Sequence, residues 1–170
     1  MPCANANTPV VLLSQADAED AVLCLINEQR QAVGAPDLTL NSNLRDAAEA
    51  HASEAEKLKW WGVAANPHVN PVTGSTPQDR IHDSGYCSGG APTFTGENCY
   101  SAWYSGGPEN ATGTTPQAAV DWWMRSPGHR ANLLKPAYTD TGIGVVVGTA
   151  EPVPGASGAI FVQDFGTCPA

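Results

Sequence analysis

Ser126-Pro127-Gly128-His129-Arg130-Ala131-Asn132-Leu133-Leu134 is the stretch on which the reading of this chain turns. It follows Ala119-Val120-Asp121-Trp122-Trp123-Met124, a tryptophan-bearing segment with helical spacing, which starts at Thr115-Pro116, a capping hydroxyl followed by proline. Pro127-Gly128 is expected to break that helix and deliver His129 at the end of an element, facing a cleft. Upstream lie two further residues with the chemistry of a metal or acid/base site: Glu97 in Gly96-Glu97-Asn98, and His68 in Asn66-Pro67-His68. They are far apart in sequence, so only the fold can join them.

Toward the N-terminus, residues 1–13 read as an arm and residues 14–170 as one domain. Ser14 caps a helix to about Val33, with Ala18, Val22, Leu25, Ile26 and Gln29 along one side, stopped by Gly34 and Pro36. Leu38-Thr39-Leu40 is a short extended link. Asn41 or Asn43 caps a second helix to about Lys59, striped by Leu44, Ala47, Ala48, His51, Ala55 and Leu58. Residues 61–75 form a loop, and Thr76-Pro77 starts a short helix ending at Gly85. Residues 105–114 read as irregular. Toward the C-terminus, Gly142 to Thr149 and Ala159 to Phe165 are strand-like, with Pro152 to Gly158 turning them into a hairpin. Helices first and an antiparallel hairpin last predict an α+β layered fold.

The chain has 170 residues with 8 Lys and Arg against 17 Asp and Glu, a net charge of −9. That balance leaves no basic stripe for nucleic acid and none for an anionic membrane surface. No apolar run is long enough to span a bilayer. The chain therefore reads as a mature soluble domain, with Met1 a start left after removal of an export signal.

The five cysteines, at positions 3, 24, 87, 99 and 168, include no Cys-x-x-Cys pair and suit disulfides in an exported protein. Cys87 with Cys99 is the first expected pair, folding Ser88-Gly89-Gly90-Ala91-Pro92-Thr93 back between them. Cys3 with Cys24 is the second, which leaves Cys168 over. Cys3 with Cys168 is the alternative, with Cys24 then a buried free thiol.

Among the remaining polar and aromatic residues, His51 reads as a packed, hydrogen-bonded core histidine, and His82 as a surface residue at a helix end. Trp122 and Trp123 are about 100° apart on a helix, so one packs inside and the other lines a cleft or groove.

An ordered series of segments resembles the CAP superfamily, the cysteine-rich secretory, antigen 5 and pathogenesis-related 1 proteins, in a bacterial form. The series runs Leu25-Ile26-Asn27-Glu28-Gln29-Arg30, Leu38-Thr39-Leu40, Ala47 to His51, His68, Gly96-Glu97-Asn98, Ala119 to Met124, Ser126 to Leu134, Tyr138, Gly142-Ile143-Gly144 and Gln163-Asp164-Phe165-Gly166. The resemblance implies a three-layer α-β-α sandwich around a small antiparallel sheet. It also implies a cleft with two histidines and acids that in some members takes zinc or another divalent ion. Carried over by motif, the histidines are His68 and His129 and the first acid is Glu97. The second acid falls at Ser126, where a hydroxyl makes the site less anionic.

The expected function is therefore a secreted, monomeric binding protein with a His68/His129 metal cleft, and Glu97, Ser126 and Asn98 around it. The alternative is a metal-assisted peptide or ester hydrolase with Glu97 as base. A Ser126–His129–Glu97 arrangement is also conceivable, although no Gly-x-Ser-x-Gly elbow supports it. The resemblance further implies a sterol or fatty-acyl ligand, with residues 61–75 and 101–114 as groove walls. An unknown protein is the other partner considered.

Overall fold

Side-chain caps set the helices of this computed structural model, which describes residues 2–62, 64–87 and 89–169. Met1 and Ser88, both used in the sequence reading, lie outside the described residues. Ser14 accepts a hydrogen bond from the Asp17 amide and opens α1 (Gln15–Ala32). Thr39–Leu40 is β1, and Asn41 then caps α2 (Ser42–Leu58). Thr76 and Asp79 form a reciprocal capping box at the start of α3 (Pro77–Asp83). Thr115 caps α4 (Pro116–Arg125).

Several features differ from the sequence expectation, among them a 3-10 helix at Pro108–Thr114 within the stretch read as irregular. Phe94–Tyr104 is a strand of 11 residues, β2. Its Gly, Glu, Asn and Ser disguise the alternation that marks a strand. Pro127-Gly128 does not merely end α4: it starts α5 (Pro127–Leu134), with proline in the first turn, where its missing N–H costs nothing. His129 thus lies in the first turn of a helix. The sheet is also mixed. β3 (Asp140–Val147) and β4 (Ser157–Thr167) pair antiparallel, β4 pairs antiparallel with β2, and β1 joins β3 in parallel, giving the order β1-β3-β4-β2.

Alternate residues of β4 feed two cores. Ala159, Phe161 and Phe165 join α1 and α4 through Val22, Ile26, Val120 and Trp123. Ile160 and Val162 join α2 through Ala48, Ala52 and Ala55. The sheet is therefore the middle layer of an α-β-α sandwich. α2 lies unusually close to β3, because a Cβ at Gly142 or Gly144 would collide with the backbone at Arg45 or Glu49. On the other face the fully buried Arg30 gives its guanidinium to four carbonyls: Pro36 (2.6 Å), Leu133 (2.7 Å), Lys135 (3.1 Å) and Tyr138 (3.1 Å). Two of these stand at the negative C-terminal end of α5, so α1 anchors the helix that carries His129.

The disulfides correct one expectation. Cys3 pairs with Cys24, but Cys87 pairs with Cys168 rather than with Cys99. Cys99 is a buried free thiol. Its place inside β2 explains this: strand alternation turns it onto the α2 face, against Ala48 and Val162.

Candidate functional site

Glu97 is the centre of the arrangement. β2 carries it onto the α2 side of the sheet, and its side chain is only 1% exposed. One carboxylate oxygen meets His68 Nδ1 at 2.8 Å, and the other accepts from Arg80 Nη2 at 2.7 Å. Arg80 also donates to the His68 carbonyl (3.0 Å) and the Ser75 carbonyl (2.9 Å), fastening the loop before α3 over the strand. Asn70 closes a turn in that loop by accepting from the amides of Val72 and Thr73.

His129 approaches around the free edge of β2. Asn98, fully buried, donates to the His129 carbonyl (3.1 Å), and Asn132 bonds the Asn98 side chain (3.0 Å). The carbonyls of Thr95, Glu97 and Cys99 accept from Tyr138 Oη, Asn132 Nδ2 and Trp123 Nε1 respectively. Alternate carbonyls of an edge strand are thereby occupied, which blunts strand addition there. Gly96 is needed because Tyr138 lies where its Cβ would be. The motif Gly-Glu-Asn thus serves three tasks: close approach, a buried charge, and a tie to α5.

His68, Glu97, Asn98, Ser126, Gly128, His129 and Asn132 line one cavity of 300 Å³. His129 Nδ1 bonds Ser126 Oγ at 2.7 Å, while the ring packs against Trp122 with centroids 4.8 Å apart. Burial, with His68 nearby, holds the His129 pKa below its ordinary value. No hydrogen bond among the described residues engages Nε2 of His68 or His129. A carboxylate behind one imidazole and a hydroxyl behind the other is the outer-shell pattern that orients histidine ligands. Two imidazoles are donor types that suit a divalent ion such as zinc, although the groups of three ligand atoms that converge within 4.8 Å among the described residues lie elsewhere.

A second group, His51, Glu97 and Cys99, brings one ligand atom each within 4.8 Å of one another. Its chemistry fits a metal poorly. His51 Nε2 is spent on the Pro67 carbonyl at 2.7 Å, and both Glu97 oxygens are engaged. Burial and the neighbouring Glu97 push the Cys99 thiol well up, so it stays protonated. His51 is the packed histidine expected from its helix face, with burial lowering its pKa against the pull of Glu97.

Two partners of Glu97 escape a reading of the sequence. Arg80 is one of only 8 basic residues, yet its helix alone does not show where it points. Asp164 lies opposite Glu97 in the β2–β4 ladder and is completely buried. An aspartate in the middle of an apolar strand was the available signal. Burial, and then Glu97, raise the Asp164 pKa well above the carboxylate range. Burial also works to raise Glu97, but His68, His51 and Arg80 outweigh it and hold its pKa low. Asp164 is therefore the neutral partner and Glu97 the ionised one. Ser126, His129 and Glu97 do not form a triad, since the carboxylate engages the other histidine.

The model of the cysteine-rich secretory protein family, CAP, matches residues 23–165. The uncharacterized protein YkwD of Bacillus subtilis is 28% identical over 149 residues, 86% of this chain and 46% of the relative. The chain thus spans about half the length of the curated relative it matches. Among solved structures, an outer surface protein of Borrelia burgdorferi is similar with a TM-score of 0.69 at 20% identity, covering 92% of this chain and 97% of that one. An extracellular protein containing an SCP domain from Bacillus anthracis is similar with a TM-score of 0.61 at 22% identity, covering 91% and 44%. At such identities these structures bear on the fold alone.

Proposed function

The chain belongs to the cysteine-rich secretory protein family, and from that premise we propose that it is an extracellular binding module whose cleft takes a divalent metal ion, zinc first, between His68 and His129. One observation carries this reading: both imidazoles line the same cavity with Nδ1 held by an oxygen and Nε2 unengaged. Two disulfides fit an oxidising compartment, and no helix among the described residues is long and apolar enough to cross a membrane.

When bound, the ion supplies a Lewis-acidic centre with positions open to a ligand. The protein's own residues fix the geometry. Glu97 orients His68, Arg80 orients Glu97, and Asn98 with Asn132 set the first turn of α5. The hydrolase alternative is supported less well, because a carboxylate held by Arg80 and His68 with a lowered pKa is a weak base. Binding of a sterol is also supported less well. The cavity beside residues 61–75 measures 270 Å³, below the size that encloses drug-like ligands, roughly 300–1,000 Å³.

Zinc titration by isothermal calorimetry at neutral pH tests the proposal. Wild type is expected to bind and the His68→Ala/His129→Ala variant to lose binding. Uptake unchanged in the double variant overturns the site.

A further inference from the structure

Trp61, Tyr100 and Trp122 meet around that 270 Å³ cavity, together with Pro67, Cys99, Ser101 and Glu151. The cavity adjoins the metal cleft. Residues 99–101 of β2 line it where 97 and 98 line the cleft, Pro67 is followed by His68, and the Trp122 ring lies against His129. The two form neighbouring compartments along one strand edge. We propose that this second compartment binds a neutral pyranose ring of an extracellular glycan, stacked on Trp122.

The lining chooses that ligand class by elimination and by fit. No basic side chain lines the cavity, and Glu151 brings a carboxylate with no ion pair among the described residues, so anionic ligands are repelled. Trp122 leaves 41% of its surface exposed, although a tryptophan gains most from burial. Tyr100 backs it at 5.6 Å between ring centroids, and Tyr100 is itself fixed by a 2.8 Å bond to the Gly113 carbonyl. An exposed ring braced from behind is a rigid platform for a flat, weakly apolar face. Trp61, 6% exposed, adds an apolar wall to the cavity. A sugar offers what this wall can use: hydroxyl donors for Glu151 and a C–H face for Trp122. A quaternary ammonium ion also suits aromatic rings and a carboxylate, and the titration separates the two.

The test is titration of the whole chain, in chelator, with cellotriose and N-acetylated chitotriose, both neutral, followed by tryptophan fluorescence and saturation-transfer NMR. Working without metal keeps the outcome independent of the His68/His129 reading. Millimolar or tighter binding is expected. Trp122→Ala should weaken it roughly tenfold or more, with Trp122→Phe restoring part, since stacking sets that scale. Glu151→Gln should weaken it severalfold in a chain that folds as wild type. No binding of either sugar, binding indifferent to Trp122→Ala and Glu151→Gln, or binding of tetramethylammonium in place of both sugars each overturns the proposal.

Discussion

Glu97 and Asp164 stand opposite each other on paired strands, both buried, and a single proton keeps them from being two like charges side by side. Arg80 and His68 claim the Glu97 carboxylate, so the proton resides on Asp164, whose two oxygens find no hydrogen-bond donor among the described residues. The pair therefore shapes stability as well as the site.

Asp164→Asn is expected to stabilise the protein at neutral pH. The folded pKa of Asp164 lies above its unfolded value, so its contribution is fully present below the unfolded pKa and is lost as pH rises through the folded one. An asparagine keeps the shape and needs no proton. Thermal melts at several pH values should show a gain that grows from pH 4 to pH 8. A gain that is flat with pH, or a loss at pH 8, would show that Asp164 is ionised.

Arg80→Met is expected to cost about 3–5 kcal/mol, because it leaves a buried carboxylate without its guanidinium partner. The melting temperature should fall by roughly 10 °C. Arg80→Lys should fall between, since an ammonium keeps the charge but cannot serve Glu97 and two loop carbonyls with one fork. Equal melting of all three proteins would remove Arg80 from its central place.

Ser126→Ala is expected to weaken zinc binding about tenfold or more by freeing the His129 ring. Zinc affinity should also decline as pH falls through the imidazole range, because a protonated ring cannot ligate. Stability moves the same way. Burial depresses the folded pKa of His51 and of His129, so their contribution is present above the unfolded value near ~6.5 and is lost as pH falls through the folded values. Calorimetry of the two proteins between pH 5.5 and 7.5 checks both trends.

Cys87→Ser/Cys168→Ser is expected to cost about 4 kcal/mol in the chain-entropy account, given a sequence separation of 81. Proteolysis without reduction should yield one peptide joining Cys87 to Cys168, while Cys99 reacts with a thiol reagent only after unfolding. A linked Cys87–Cys99 peptide would contradict the structure.

The caps and stripes of α1, α2 and α4 are legible in the sequence because Ser14, Asn41 and Thr115 act on neighbours within three residues. β2 is not, because its residues answer to different demands along its length: Gly96 to the Tyr138 ring, Glu97 to Arg80, Asn98 to α5. The cysteine pairing fails for a related reason. Proximity in sequence favours Cys87 with Cys99, but β4 brings Cys168 beside the loop that follows α3. His68, Glu97 and His129 stand out through motif and chemistry, and all three line the one cavity. Arg80 and Asp164, which decide the charge state of Glu97, become visible only once strands are paired.

Gly142 and Gly144 let α2 rest directly on the backbone of β3, with no side chain between them to slide or tilt. α5 is seated differently: Leu133 is buried in the core shared with α1 and α4, and hydrogen bonds with Asn98, Asn132 and Arg30 tie the helix down. The cleft consequently has two unequal jaws. The His68 side is a loop clamped to the edge strand by Arg80, and the His129 side is a helix wedged into the core by Leu133. Both histidines are thus presented from backbone that is already tied down, one side by an ion pair and the other by packing.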